Sequence, residues 1–218
     1  MKDKFECWLP SWEYLHKACK KIVEKIKKDG FRPDIVIALS RGGFVPARTI
    51  CDLMIVKDLV SMKVDHWGIT ANMDGKAKIR YPLTVDLTGK KVLVVDDITD
   101  SGESMLISVD FIKSLNPDEI RTATALHVKT SKFKPDYCGE EIEWKWTIFP
   151  WNYVEDMCNI LPKVLGEKNP KNISKIKNDL EEDFKINISE EAIVEILGEL
   201  EERNIVTSDK IGWIKIKP

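Results

Sequence analysis

A run of four apolar residues, Val92–Val95, leads directly into two adjacent acids, Asp96 and Asp97. A short apolar run of this kind is typical of a parallel strand that is buried on both faces of a sheet. Open sheets built of alternating strands and helices bind ligands at the carboxyl ends of their strands. The segment therefore predicts an α/β fold with an acidic binding site at one edge of its sheet.

The residues after the two acids suit a phosphate-binding turn. Asp100 precedes a Ser-Gly-x-Ser sequence, Ser101–Ser104, and a stretch with helical apolar spacing follows. The first N–H groups of a helix have no partner within the helix, so together with two hydroxyl groups they can surround a phosphate. The carboxylates of Asp96 and Asp97 can accept hydrogen bonds from neighbouring hydroxyls of a sugar.

The nine residues from Asp96 to Ser104 resemble the phosphoribosyl-pyrophosphate (PRPP) signature of type I phosphoribosyltransferases, with serine at two positions where the family usually has threonine. The resemblance implies that PRPP is bound by Asp96, Asp97, Ile98, Thr99, Asp100, Ser101, Gly102, Glu103 and Ser104. It also implies that Asp100 is catalytic and exchanges a proton with N7 of a purine. An acid at a helix N-terminus is equally expected from the helix dipole alone, so both interpretations of Asp100 stay open.

A glycine turn follows an earlier apolar strand, Asp34–Leu39, and contains Ser40, Arg41, Gly42 and Gly43. Glycine lets the backbone approach a phosphate closely, and arginine binds phosphate oxygens. The turn resembles the pyrophosphate loop of the same family, particularly its xanthine-guanine members. This implies that its four residues bind PRPP and that the Ser40–Arg41 peptide bond is cis. Taken alone, this sequence is as typical of an ordinary tight turn as of a ligand-binding loop.

Three residues further along are candidates for binding the base. Lys129 follows a strand predicted over Arg121–Val128, as does a lysine that contacts the purine 6-oxygen in the xanthine-guanine enzymes, and Lys132 is a competing candidate. Trp146 and Thr147 resemble a stretch whose tryptophan stacks on the base. Trp146 could instead be a core aromatic, and Lys129 a solvent-exposed residue at the end of a strand.

Magnesium is the expected cofactor, with PRPP as co-substrate. Mg²⁺ uses substrate phosphates, waters and a few carboxylates, so we expect it to arrive with PRPP and to lie near Asp96 and Asp97, directly or through water. The His and Cys residues form no cluster with zinc-ligand spacing. The family resemblance further implies a homodimer or a higher homo-oligomer.

Composition narrows the class of protein. The 218 residues are 43% hydrophobic and 32% charged, and the formal net charge is −2, which predicts no bulk attraction to nucleic acid or to an anionic membrane. Five scattered cysteines without a Cys-x-x-Cys motif indicate reduced thiols in a cytoplasmic protein. Neither a signal-peptide core nor an apolar run of membrane-spanning length is present.

The apolar spacing predicts several further elements. A helix is expected over Trp12–Asp29, capped by Ser11 and ended by Gly30, and another over Met105–Leu115. Further predictions are a strand at Leu59–Val64, a hairpin or mobile segment at Asp65–Tyr81 and a helix at Asn152–Leu165. Alternating strands and helices predict a mainly parallel sheet flanked by helices, and the family resemblance implies the type I phosphoribosyltransferase fold.

Two domains are expected: a phosphoribosyltransferase domain, 1–165, and a small α+β module, 166–218. The module contains the pattern of two short helices and a hairpin, which resembles part of a winged helix. It has nine Lys or Arg and twelve Asp or Glu, a net charge of −3. Because DNA affinity depends on neutralising phosphates, the negative charge favours a packing, dimerisation or capping module over a DNA-binding one.

The leading hypothesis is a Mg-dependent purine phosphoribosyltransferase of purine salvage. It would convert hypoxanthine, guanine or xanthine and PRPP to the nucleoside 5′-monophosphate and pyrophosphate. One alternative is a transcriptional regulator that senses PRPP through a winged helix. Another is a phosphoribosyltransferase that acts on a different base.

Overall fold

The computed structural model describes residues 4–65 and 78–216. Its chain forms two compact units, Ser11–Trp144 and the pair of segments Met1–Pro10 and Lys145–Pro218. These compact units divide the chain at 144/145. The expected domains, 1–165 and 166–218, stay a prediction. The two units are described separately below.

The described elements are labelled in chain order. The strands are β1 (Cys7–Trp8), β2 (Ile35–Ser40), β3 (Leu59–Asp65), β4 (Lys78–Tyr81), β5 (Lys91–Thr99), β6 (Glu119–Val128), β7 (Tyr137–Ile142), β8 (Trp146–Thr147), β9 (Val206–Ser208) and β10 (Trp213–Lys215). The helices are α1 (Trp12–Asp29), α2 (Phe44–Met54), α3 (Glu103–Lys113), α4 (Tyr153–Val164), α5 (Ile173–Phe184) and α6 (Glu190–Glu202).

A six-stranded sheet in the order β4-β3-β2-β5-β6-β7 organises the unit Ser11–Trp144. All neighbouring strands are parallel except β3 and β4, which are antiparallel. The predicted mainly parallel sheet is thus confirmed. Of the hairpin or mobile segment predicted at Asp65–Tyr81, residues 66–77 lie outside the described part of the chain.

Helix α1 has the predicted bounds, and its caps explain them. The Ser11 hydroxyl accepts a hydrogen bond from the Tyr14 N–H at 3.1 Å, which satisfies a free donor of the first turn. Gly30 ends the helix at a φ of 73°, a conformation that glycine adopts without strain. Between these caps, an apolar stripe that includes Ile22 and Ile26 is fully buried.

The sheet is covered on both faces by aliphatic side chains. Val36, Leu93 and Val95 pack with residues of α1 and α2. Their neighbours along the strands, which include Ile37 and Val94, pack with residues of α3. Because β2 and β5 are central and buried on both faces, their carboxyl ends are held in a fixed relation to each other.

Strand β5 continues beyond the apolar run that predicted it. Asp96 pairs with Thr124 of β6, and the pairing extends to Thr99 opposite His127. The predicted strand is therefore present and longer than its apolar run, because backbone pairing with β6 continues past the acids. The acids still lie in its carboxyl-terminal half, where a ligand site is expected.

The unit formed by Met1–Pro10 and Lys145–Pro218 has its own core. Strand β1 pairs in parallel with β8, and β9 pairs antiparallel with β10. Helices α4, α5 and α6 bury aliphatic residues such as Ile160, Leu180 and Leu197 in one cluster. The two helices and the hairpin predicted beyond residue 166 are confirmed, and their likeness to a winged helix stays a prediction. Across the described residues, no helix is both long and apolar enough to span a membrane.

Candidate active site

The turn after β2 places the first motif at the carboxyl edge of the sheet. The Ser40–Arg41 peptide bond is cis, which confirms the prediction. The Ser40 hydroxyl donates to the Met62 carbonyl of β3 at 2.9 Å, and the Gly43 N–H donates to the Leu39 carbonyl at 2.9 Å. Helix α2 begins at the next residue, so its N-terminus lies directly behind this turn.

The two glycines of this turn are packed against β5. A Cβ atom added to Gly42 would collide with the Asp97 carboxylate, and one added to Gly43 would lie 2.5 Å from the Val95 carbonyl oxygen. Neither position has room for a side chain. The turn after β2 and the acids of β5, which are separate motifs in the sequence, therefore form one surface.

Asp96 and Asp97 are adjacent acids towards the carboxyl end of β5. The Asp97 N–H donates to Asp96 Oδ1 at 2.9 Å, and the Ile98 N–H donates to Asp97 Oδ1 at 2.8 Å. Burial of the Asp96 carboxylate raises its pKa well above the usual value of 3.8, and the neighbouring charge of Asp97 raises it further. Both effects disfavour the ionised form of Asp96.

Residues 100–104 lead from β5 into α3. Gly102 has a φ of 86°, and helix α3 starts at Glu103, so its first N–H groups face this turn. The Glu103 N–H donates to the Ser101 hydroxyl at 3.3 Å, and the Ser108 hydroxyl donates to the Ser104 carbonyl at 2.6 Å. The turn has the hydroxyls and helix N-terminus that phosphate binding requires.

The turn after β6, residues 129–133, packs against the turn at residues 100–104. A Cβ atom on Gly102 would lie 2.7 Å from Phe133 Cβ and 2.8 Å from Ser131 Oγ. The Lys132 N–H donates to the Ser101 carbonyl at 3.1 Å. The sequence reasoning missed this support, because residues thirty positions apart in the chain show no local pattern that joins them.

Lys129 lies immediately after β6, as predicted. Its N–H donates to the Ile142 carbonyl at 3.1 Å, and its ammonium pairs with the Glu143 carboxylate at 2.7 Å. The hydrogen bond to Glu143 raises the pKa of Lys129, which therefore stays charged. The Lys132 ammonium instead lies 3.6 Å from Glu103 Oε1. The two candidate lysines thus have different carboxylate partners.

Trp146 and Thr147 form β8 in the other compact unit. The Trp146 indole N–H donates to Asp156 Oδ1 at 3.3 Å, and its ring meets the Phe5 ring edge-on with centroids 6.3 Å apart. Trp146 is half-buried beside the core of that unit. Its predicted stacking on a base, and the role of Thr147, stay predictions.

A sequence model of the phosphoribosyl transferase domain matches residues 11–156, more than half of the chain. The chain belongs to the phosphoribosyltransferase family. The matched range contains both glycine turns, the acids of β5 and the candidate base-binding residues. The predicted family membership is confirmed, and with the mainly parallel sheet so is the type I phosphoribosyltransferase fold.

Named relatives are similar over most of this domain. Xanthine phosphoribosyltransferase 1 of Saccharomyces cerevisiae is 26% identical over 183 residues, which cover 65% of this chain and 88% of that protein. A hypoxanthine-guanine phosphoribosyltransferase of Aquifex aeolicus is 30% identical over 123 residues, covering 53% and 67%. The crystal structure of a purine phosphoribosyltransferase from Pyrococcus horikoshii has a TM-score of 0.59 and 27% identity, and covers 67% of this chain and 93% of that one.

His127 is a residue at this edge of the phosphoribosyltransferase sheet that the sequence reasoning did not single out. It lies opposite Thr99 in β6 and is 5% exposed, and its Nδ1 has no hydrogen-bond partner within the described chain. Burial lowers its pKa below the usual 6.5, although Glu141 acts in the opposite direction. A histidine in an apolar strand gives no sequence signal that separates it from an ordinary core residue.

The oxygen donors at this edge fit magnesium better than a softer metal. Asp96 and Asp97 offer hard carboxylate oxygens, and the described residues contain no group of three or more His, Cys, Asp or Glu that could hold a metal ion. Two carboxylates cannot complete an octahedral shell. Substrate oxygens and water would have to supply the other ligands.

Proposed function

We propose that this phosphoribosyltransferase converts a 6-oxopurine and PRPP to the nucleoside 5′-monophosphate and pyrophosphate, and so acts in purine salvage. Hypoxanthine, guanine and xanthine are the proposed bases. The names of the relatives from Saccharomyces cerevisiae and Aquifex aeolicus support this choice. So does the name of the structural relative from Pyrococcus horikoshii.

One observation carries the proposal: Gly42 abuts the carboxylate of Asp97. This contact joins the turn after β2 to the acids of β5, so a single ligand can reach both. A molecule with a phosphate at each end and a sugar between them matches the order of groups along this edge. PRPP is such a molecule.

The proposed donor contacts follow that order. Ser40–Gly43 would hold the pyrophosphate, with the guanidinium of Arg41, an exposed residue, binding its oxygens. Asp96 and Asp97 would accept hydrogen bonds from the ribose hydroxyls. Residues 100–104 would bind the 5′-phosphate through the N-terminus of α3 and the hydroxyls of Ser101 and Ser104.

In the proposed reaction, a base nitrogen forms a bond to C1 of the ribose as the bond from C1 to pyrophosphate breaks. Positive charge develops on the sugar, and the carboxylates beside it would stabilise this charge. Asp100 would accept the proton that leaves N7 of the purine. Holding donor and base in line would supply much of the remaining acceleration.

Lys129 is the better candidate for the purine 6-oxygen. Its ammonium lies at the end of β6 beside Glu143, whereas the Lys132 ammonium lies beside Glu103 of the phosphate turn. Trp146 would stack on the ring, and Thr147 would lie beside it. Base stacking on an aromatic side chain contributes about 1–3 kcal/mol.

Magnesium is proposed to arrive with PRPP, with Asp96 and Asp97 near it. When bound, it would offset the charge of the pyrophosphate as that group departs. The chain's own part is to hold the two carboxylates side by side. A nearby cation also lowers the pKa of Asp96 towards its ordinary range, so metal and carboxylates favour each other.

We further propose that the enzyme works in the cytoplasm as a homodimer or higher homo-oligomer on small-molecule substrates, without nucleic acid or membrane partners. All five cysteines are free thiols, which suits a reducing compartment. The formal net charge of −2 argues against nucleic acid as a partner.

The test is a panel of bases with PRPP and Mg²⁺, with the product detected by mass. Nucleotide formed from hypoxanthine, guanine or xanthine, but not from adenine or orotate, would support the proposal. Product only from adenine or orotate would show a phosphoribosyltransferase for a different base. PRPP binding with no product from any base would favour the regulator.

A matched pair of variants tests the role of Asp100. Asp100→Ala should lower kcat about 10²–10⁴-fold, the usual contribution of a group that transfers a proton. Asp110→Ala removes an exposed acid of α3 that pairs with Lys113 at 3.5 Å, and it should leave the rate unchanged. A full rate in Asp100→Ala would exclude proton transfer by this residue.

A further inference from the structure

Lys132 lies at the edge of the proposed 5′-phosphate turn. Its ammonium is 3.6 Å from Glu103 Oε1, and its backbone N–H donates to the Ser101 carbonyl at 3.1 Å. The Lys132 side chain is 74% exposed and that of Glu103 is 36% exposed. The backbone of this residue is therefore held in place while its ammonium faces solvent beside the turn.

Glu103 creates an electrostatic problem for a phosphate at this position. It lies in the first turn of α3, where the helix dipole favours a carboxylate. The same helix end is where the phosphate of the donor is proposed to bind. A phosphate monoester carries up to two negative charges near neutral pH, and Glu103 repels it.

The turn that carries Lys132 is fixed at both ends. The Ser131 N–H donates to the Val128 carbonyl at 2.9 Å, which ties the turn to β6. On the other side, Gly102 leaves no space for a Cβ atom against Phe133 and Ser131. These contacts fix the backbone of Lys132 next to Glu103.

We propose that Lys132 is a positioning residue that offsets the charge of Glu103 and so sets the affinity for the 5′-phosphate of the donor. The proposal rests on the proposed function of the turn. It assigns Lys132 to the phosphate end of the substrate, whereas Lys129 serves the base. The effect is electrostatic, so added salt should reduce it.

The experiment measures KM for PRPP at low salt, and Kd for ribose 5-phosphate and for pyrophosphate by calorimetry. Lys132→Ala should raise KM for PRPP and Kd for ribose 5-phosphate roughly two- to fivefold, the range of an exposed ion pair. The values of kcat and of Kd for pyrophosphate should stay unchanged. Lys132→Arg should retain the wild-type constants.

Two further variants separate charge from structure. Lys134→Ala removes an exposed lysine of the same segment, with no ion pair in the described chain, and should leave KM for PRPP unchanged. The double variant Lys132→Ala with Glu103→Gln should recover most of the lost affinity, because no uncompensated carboxylate is left. A merely structural role for Lys132 would not be rescued in this way.

The outcomes are distinct. If the wild-type protein binds PRPP and Lys132→Ala binds it equally well, or if Glu103→Gln brings no recovery, this inference is wrong and the proposed function stands. If pyrophosphate affinity falls as much as ribose 5-phosphate affinity, Lys132 acts elsewhere in the site. If the wild-type protein binds neither PRPP nor ribose 5-phosphate, the proposed function itself fails.

Discussion

At the carboxyl ends of β2 and β5, the Asp97 carboxylate lies so close to Gly42 that there is no room for a methyl group on this residue. At Gly198 of α6, by contrast, a methyl group would meet no neighbouring atom within 4 Å. Gly42 lies in the turn between β2 and α2, and Gly198 lies within α6. The first belongs to the surface on which a ligand is proposed to bind. The second belongs to a helix that packs through aliphatic residues of other positions.

The two regions also treat charge differently. Burial raises the pKa of Asp96, and the charge of the adjacent Asp97 raises it further. Asp179 of α5, a buried acid of the other unit, accepts hydrogen bonds from Lys171 at 2.5 Å and Lys175 at 2.8 Å. The pKa of Asp96 is thus raised at the proposed site, whereas that of Asp179 is lowered where its ion pairs support the fold.

The largest effect is expected from Gly42→Ala. The added methyl group must displace the Asp97 carboxylate, which is short and accepts a hydrogen bond from Ile98, so it has little freedom to move. The rate of nucleotide formation should fall about 100-fold or more, as it does when a positioned catalytic environment is disturbed. Steady-state kinetics measures this, and urea unfolding checks that the fold persists. A rate near that of the wild-type protein would show that the turn and the acids do not act together.

The positions of the elements could largely be predicted from the sequence, because they follow local patterns. Helix α1 has the predicted bounds, since Ser11 and Gly30 are strong capping residues. Helix α3 starts at Glu103 and not at Met105, because the turn at Gly102 leads directly into it. Local apolar spacing does not mark such a boundary.

Contacts between distant residues could not be predicted in this way. The close packing of Gly42 against Asp97 depends on β2 and β5 being neighbours in the sheet, which no short sequence pattern indicates. The pairing of Lys132 with Glu103 likewise depends on the order of β5 and β6. Resemblance to a family indicated which residues to consider, and only the fold shows which of them touch.

The next largest effect concerns Asp179. Partial burial opposes ionisation, but hydrogen bonds from Lys171 and Lys175 prevail and lower its pKa below 3.8. Asp179→Asn should therefore lower the free energy of unfolding by about 1.5–3 kcal/mol at pH 7. Because the unfolded chain takes up the proton first, this difference should shrink as the pH falls below about 4.

Urea unfolding at pH 7 and pH 3 measures both parts of the Asp179 prediction. Glu199→Gln is the control, since it removes an exposed i,i+4 pair with Arg203 at 2.9 Å and should cost less than about 0.5 kcal/mol. Equal stability of the Asp179→Asn and wild-type proteins at pH 7 would contradict the idea that these charges support the fold.

A smaller effect is expected at His127, whose contribution to stability, like that of Asp179, declines as the pH falls, but at a higher pH. Burial lowers the pKa of His127 below 6.5, because the buried imidazole favours its neutral form. Above that pH the ring is neutral in the folded and the unfolded chain, so folding has no cost of removing its proton. As the pH falls from 6.5, the unfolded chain binds the proton first and stability declines, by about 1.4 kcal/mol for each unit of pKa difference. His127→Leu should remove this decline.

Unfolding midpoints at pH 7.5 and pH 5 test the role of His127. His16 lies on an exposed face of α1, and His16→Gln should keep the decline seen in the wild-type protein. At pH 7.5 the His127→Leu protein should be at least as stable as the wild type, because it no longer buries an unpaired Nδ1. An unchanged decline in His127→Leu would assign the pH dependence to other groups.

The smallest effect completes the comparison of the two glycines. Gly198 is helical and a Cβ atom there would meet nothing within 4 Å, so Gly198→Ala adds no clash. Alanine restricts the unfolded chain and favours the helix, which should raise the free energy of unfolding by about 0.5–1 kcal/mol. Urea unfolding of the Gly198→Ala and wild-type proteins measures this gain. A loss of stability would mean that α6 needs glycine for close packing, and the contrast with Gly42 would then not hold.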